Sequence, residues 1–323
     1  MRDWSKHAHG SPLYSHLSDV VADSDTLLRM INRIDNWPRQ NVFFAAVHYL
    51  LMGDPEADLA RFYPSLVTDP EPITDVDVPF RDFVVAHEAE IVALGRTRFT
   101  QTNECRRCVA LLPAIWETPL SQFHLVDLGA SAGLNLLLDR YGYRWDGIEW
   151  HPGSDLVLET ESKGRMPAPR DVEVLSRTGL DLNPVDPTDP NERRWLEALI
   201  WPEHHERRQR LRAAIELAST TEVEFVEGSA LATLLPTLAA LPADEPVVVM
   251  NSFTLNQFTA EQREAVDDQV AEARAHRPIA RVSFEYTNRN DDWPRLSVDD
   301  GSGWRLIGQG HPHGEWIELY ARP

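Results

Sequence analysis

Lysine is nearly missing from this 323-residue chain; it occurs only at Lys6 and Lys163. No lysine follows a glycine turn, which excludes a Walker-type phosphate clamp, and no clean G-x-G-x-x-G suggests a dinucleotide. Cations are scarce altogether: 31 Lys plus Arg face 51 Asp plus Glu, a formal net charge of −20. That surplus repels phosphate backbones, so a nucleic-acid platform is not expected. Cysteine is confined to Cys105 and Cys108, too few for a disulfide framework and suited to a reducing compartment. No apolar run is long enough to cross a bilayer, and the first residues, MRDWSKHAHGSP, contain no hydrophobic signal core. The expectation is a cytoplasmic protein with no membrane partner. Internal repeats and low-complexity tracts are also absent.

What is present is a globular composition, 42% apolar with scattered charge, in a chain long enough for two domains. Residues 13–117 read as helices. Leu13, Leu17, Val20 and Val21 recur at helical spacing, as do Leu27, Leu28, Ile31 and Ile34. Residues 42–51 are apolar nearly all round and predict a buried helix. A Pro- and Asp-rich connector, 68–79, precedes a helix carrying Phe80, Phe83, Val84, His87, Ile91 and Leu94. Thr102 or Asn103 can cap a last helix running to about Trp116.

From Phe123 strands alternate with helices. Strands are expected at 123–128, 172–182, 222–227, 246–251, 280–287, 304–308 and 315–321, and helices at 133–141, 191–219, 229–240 and 260–276. The predicted fold is α/β: a Rossmann-like, seven-stranded, methyltransferase-type sheet, mostly parallel, closed by a C-terminal antiparallel hairpin. The expected domains are 1–118, all helical, and 119–323, with an insertion at about 142–170, rich in Gly, Pro and aromatics, that reads as a small hairpin or lid.

The segment 123–141, FHLVDLGASAGLNLLLDRY, reads as a strand, a glycine turn and a helix. Asp127, Gly129, Ala130, Ser131 and Gly133 have the spacing of a nucleoside-binding loop, which S-adenosylmethionine fits best. The same letters spell G-x-S-x-G, a nucleophile elbow with Ser131 as nucleophile, and Asp291 or Asp292 with His311 as its partners. A glycine turn that only packs a helix on a sheet is the third reading.

In open α/β sheets ligands bind beyond the carboxyl ends of the strands. Asp181 ends the second strand, where a carboxylate can accept both ribose hydroxyls; Asp146 and Glu149 compete for that role. Gly228, Ser229 and Ala230 follow the third strand, where Ser229 can meet an adenine amino group or cap a helix. Asn251 and Ser252 follow the fourth. They are weak bases and suit positioning of the methyl acceptor. Methyl transfer from a sulfonium needs in-line alignment and desolvation more than acid–base work.

The chain resembles the domain-of-unknown-function family 2332 over nearly its full length. The matching pieces are Phe62-Tyr63-Pro64-Ser65-Leu66, Gln101-Thr102-Asn103-Glu104, 128–135 (LGASAGLN), Arg177-x-Gly179-Leu180-Asp181, 195–202 (WLEALIWP) and the arginine-rich 206–214. The resemblance implies a methyltransferase-like fold of unassigned activity. It adds Gln101, Thr102, Asn103, Arg106 and Arg177 as candidates for binding the substrate, with Arg106 or Arg107 meeting a substrate carboxylate or phosphate. Cys105 and Cys108 lack further ligands, and His311 and His313 flank a turn; no metal is expected. The functional expectation is an S-adenosylmethionine-binding protein that methylates a small molecule. The alternatives are a serine hydrolase and a non-catalytic adenosine-binding module. The sequence leaves the acceptor and the oligomeric state open.

Overall fold

The computed structural model describes residues 1, 10–151, 153–288 and 290–321; the N-terminal stretch 2–9 lies outside them. Helices are α1 (Pro12–Ala22), α2 (Asp25–Ile31), α3 (Arg39–Gly53), α4 (Asp77–Ala86), α5 (Glu88–Thr97), α6 (Cys108–Trp116), α7 (Pro190–Ala198), α8 (His205–Ala218), α9 (Ala230–Ala240) and α10 (Ala260–Arg274). Strands are β1 (Gln122–Leu128), β2 (Gly142–Trp145), β3 (Ile148–Trp150), β4 (Val157–Gly164), β5 (Glu173–Asp181), β6 (Glu224–Glu227), β7 (Val247–Ser252), β8 (Ile279–Glu285), β9 (Arg295–Asp299), β10 (Arg305–Gly310) and β11 (Trp316–Leu319). No helix among the described residues is long and apolar enough to cross a membrane.

The chain divides into two units: Met1–Thr102 with Thr188–Arg212, and Asn103–Pro187 with Ala213–Pro323. The division therefore falls at 102/103 rather than at the expected 118/119, and 188–212 returns to the helical unit. In that unit, Ser11 caps α1 by accepting from the Tyr14 amide, with Pro12 in the first turn. The all-round apolar α3 is buried as its composition requires, and Trp195 and Ala198 of α7 join its core. The helix expected through His87 breaks there into α4 and α5. The stretch expected as one helix over 191–219 is two, α7 and α8, with Pro202 in the connection between them.

The second unit carries a mixed sheet in the order β3-β2-β4-β11-β10-β9-β8-β7-β1-β5-β6. Parallel pairing joins β6, β5, β1, β7 and β8 in succession, and joins β2 to β4 and β4 to β11. β8, β9, β10 and β11 form an antiparallel meander that includes the expected closing hairpin. The sheet has eleven strands, not seven. Three of the extra strands come from 142–170, where Tyr143, Trp145 and Leu158 are buried at alternating positions and Asp146-Gly147 turns a hairpin. The fourth, β9, alternates buried Leu296 and Val298 directly after Pro294. One face of the central strands (Val126, Leu128, Val247, Val249) packs on Leu234 and Leu238 of α9 and on Val266 and Val270 of α10.

The helix expected at 133–141 is not formed. A short 3-10 turn, Leu134–Leu137, stands in its place. Leu134, Leu136, Leu137 and Leu138 are all buried, so apolar side chains point inward from nearly every side of the segment rather than from one helical stripe. Its carbonyls are met by tyrosines instead: Tyr141 donates to Leu134 O and Tyr143 to Leu138 O. The last N-terminal helix also begins later than expected, after a 3-10 turn 105–107 capped by Glu104 rather than by Thr102 or Asn103.

Candidate functional site

Sheet topology selects one place for a ligand. β1 is flanked by β5 and β7, and the chain proceeds to β6 on one side and to β8 on the other. Strand order reverses at β1, and the crevice beyond its carboxyl end is where such sheets bind ligands.

The glycine loop sits there. Gly129 adopts φ 77°, and a side chain on it would lie 2.0 Å from Thr254 Oγ1. Only glycine meets both conditions. Gly179 in β5 has a parallel role: a Cβ on it would lie 2.7 Å from the Ala130 Cβ, so its absence lets the loop settle on the strand. Ser131 takes φ 51° although it is not glycine, and three hydrogen bonds hold it. Its amide donates to Asp181 Oδ2 (2.8 Å), its hydroxyl oxygen accepts from Asn103 Nδ2 (3.0 Å), and its carbonyl accepts from the Val185 amide.

All the amides of the loop are engaged. Gly129 and Ala130 donate to Leu180 O, Ser131 to Asp181, Ala132 to Asn103 Oδ1 (3.1 Å), and Gly133 to Ala130 O. A loop with its amides spent is a poor phosphate cradle. What it presents instead is carboxylate oxygen. Asp181 is half-buried and accepts from the Ser131 and Asn183 amides, one on each oxygen; each oxygen retains a second lone pair.

Asp127 is 2% exposed, and its Oδ2 has no hydrogen-bond partner among the described residues. Burial above all, and then the charges of Asp181 and Glu285, push its carboxyl well above the usual range; Arg107 opposes this. Arg107 is itself buried, donates to Pro312 O and lies over the Phe253 ring at 4.0 Å. Register places Asp127 beside Met250, so Ser252, two residues on, shares its face of the sheet. Ser252 Oγ is also buried without a partner.

Asn251 points to the opposite face. Its Nδ2 donates to Ser283 Oγ (2.9 Å) and Glu285 Oε1 (2.7 Å), which fixes the amide and leaves Oδ1 a buried acceptor with no donor. Glu285 ends β8 and gathers the turn after β7, accepting from the amides of Thr254, Leu255 and Asn256. Burial raises its pKa against the lowering by those donors. Phe253, between Ser252 and Thr254, holds φ 61°. Glu285 and Phe253 escaped the reading of the sequence. Glu285 had a signal, an acid at a strand's carboxyl end, the same position that drew notice to Asp127 and Asp181.

The remaining candidates divide. Gly228 donates its amide to Asp181 O, and Ser229 caps α9 by accepting from the Leu231 amide, with Ala230 buried behind it. Arg177 is 7% exposed within β5 and pairs with Asp139, while Arg106 donates to His313 O and faces Glu315. Both arginines thus have protein partners. Asp146 and Glu149 lie at the β2–β3 hairpin, bonded to the Ser162 amide and to Arg144. Gln101 and Thr102 belong to the helical unit, Asn103 to the sheet unit.

Asp291 is held by Thr287, Asn288 and Arg295. No hydrogen bond among the described residues joins Ser131, Asp291 and His311 into a relay. Cys105 and Cys108 are buried and form no disulfide, and Cys108 turns to Asn135. No group of three or more His, Cys, Asp or Glu among the described residues could hold a metal ion.

The structure thus defines a mixed α/β protein with a buried, acceptor-rich cluster at the reversal point of its sheet. The chain belongs to the family described as "Uncharacterized protein conserved in bacteria (DUF2332)", whose profile matches residues 1–319. Comparison with curated proteins and with solved structures gave no match.

Proposed function

We propose that this protein binds S-adenosylmethionine at the carboxyl ends of β1, β5 and β7 and transfers its methyl group to a small molecule. The order β6-β5-β1-β7-β8 supports a Rossmann-like core, since numbered along these parallel strands it reads 3-2-1-4-5. The observation that carries the reading is Asp127: a buried carboxylate oxygen without a partner, at the reversal point, beside a loop whose amides are spent. Such a site disfavours phosphates and favours a cation that also bears hydroxyl groups.

The residues fit that ligand. Asp181 has lone pairs for ribose hydroxyls, and Asp127 supplies the charge that a sulfonium or ammonium group needs on leaving water. When bound, the sulfonium contributes an already activated methyl group. The protein's share is alignment and exclusion of water. Native mass spectrometry of the purified chain tests the reading, followed by incubation with methyl-labelled cofactor and a metabolite extract. An adenosyl compound retained by the protein and label transferred to a small molecule are expected. Retention without transfer would favour a non-catalytic adenosine-binding module, and the absence of both retention and transfer would refute the proposal.

A further inference from the structure

The two unpartnered oxygens on one face, Asp127 Oδ2 and Ser252 Oγ, say more about the acceptor. Both belong to residues that are more than nine-tenths buried. Both lie at the carboxyl end of neighbouring strands; the carboxylate of Asp181, on the same face, and that of Glu285, across the sheet, both act on Asp127. Arg107 is the cation facing them, and it is already committed to Pro312 O and the Phe253 ring. An anionic acceptor, such as a carboxylate or a phenolate, would meet repulsion and leave these oxygens without donors. A nitrogen bearing N–H supplies donors at no such cost.

We infer that the methyl acceptor is an amine or amide nitrogen, bonded through its N–H to Ser252 Oγ and to Asp127, which takes the proton released on methylation. The inference rests on the S-adenosylmethionine reading. In the step, the nitrogen lone pair forms the N–C bond to the methyl carbon and the S–C bond breaks, its electron pair returning to sulfur. The proton on the alkylated nitrogen passes to Asp127 Oδ2. The sulfonium becomes a neutral thioether and the carboxylate a neutral acid, so charge and atoms balance. A carboxylate whose burial has raised its proton affinity is a better base than an exposed one.

Sinefungin tests this without knowledge of the substrate, because it carries an amino group on carbon where S-adenosylmethionine carries its S-methyl group. Calorimetry on the full chain would compare it with S-adenosylmethionine and S-adenosylhomocysteine. Two new hydrogen bonds to acceptors now lacking donors should make sinefungin bind about tenfold or more tighter than S-adenosylhomocysteine. Ser252→Ala and Asp127→Asn should each reduce that preference several-fold, with folding checked by circular dichroism. If both variants failed to fold, the wild-type preference would still decide. Sinefungin no tighter than S-adenosylhomocysteine, or a preference untouched in both folded variants, overturns the inference and leaves the parent reading standing. No binding of any of the three compounds removes the parent reading and this inference together.

Discussion

Replacing Asp127 by asparagine should make the protein more stable at neutral and alkaline pH while it weakens binding of the proposed ligand. The side chain is buried and feels the charges of Asp181 and Glu285, only partly offset by Arg107, so folding raises its pKa. A carboxyl raised in the folded state contributes stability that is complete below the unfolded pKa, about 3.9. That stability is lost as pH rises through the folded pKa. Each unit of elevation corresponds to about 1.4 kcal/mol. The isosteric amide carries no such penalty, so the variant should gain about 1.4 kcal/mol at pH 8 for every unit by which burial lifts the acid. In a chain of this size that is a rise in Tm of about 2–4 °C per kcal/mol.

Urea unfolding of both proteins between pH 4 and pH 8 measures the effect. Their stabilities should lie closest at pH 4 and diverge upward, the wild type falling more steeply. Glu285 is raised by the same cause and keeps some slope in the variant. A variant that is less stable at pH 8 and parallel to the wild type throughout would refute the reasoning. Stabilisation at the expense of binding is what a functional site held under strain predicts.

Other substitutions probe the frame around Asp127. Gly129→Ala places a Cβ against Thr254 Oγ1 at a positive φ and should cost about 2 kcal/mol or more. Adding Thr254→Gly should recover the steric part but not the backbone part. Glu285→Ala strips an acceptor from three successive amides and from Asn251. A loss of about 3 kcal/mol in denaturant titration, with faster hydrogen exchange at 254–256, is expected. Asn103→Ala frees the Ala132 amide and the Ser131 hydroxyl; that amide should exchange faster and stability should fall by about 1–2 kcal/mol. Arg177→Met removes the closer cation of Asp139 and leaves it only the exposed Arg140 at 3.7 Å, and should cost about 3 kcal/mol. Arg177→Met with Asp139→Leu should regain most of it.

The site was more legible in the sequence than the sheet that carries it. Asp127, the Gly129–Gly133 turn and Asp181 stand out because acids and glycines at strand ends violate the apolar pattern around them. The structure joins these residues directly, through the Ser131 amide on Asp181. The β2–β3 hairpin falls in the insertion where a small hairpin or lid was expected, but β4 and β9 were missed. β4, eight residues long but polar through its second half, is declared by its pairing with the sequence-distant β11, whereas β9 has only five residues directly after a proline. The missing helix after the loop shows tertiary structure overriding propensity: buried leucines and two tyrosine hydroxyls replace a helical ladder. Glu285 was passed over because its strand was expected to run on to 287. Its role appears only when the turn after β7 folds back over it.

Calorimetric titration of the full chain with S-adenosylmethionine at neutral pH, beside the Asp127→Asn variant, addresses the account most directly. Micromolar binding to the wild type, weakened about tenfold or more in the folded variant, is the predicted result. Folded wild-type protein that takes up no S-adenosylmethionine, or a variant that binds it as tightly as the wild type, would contradict it.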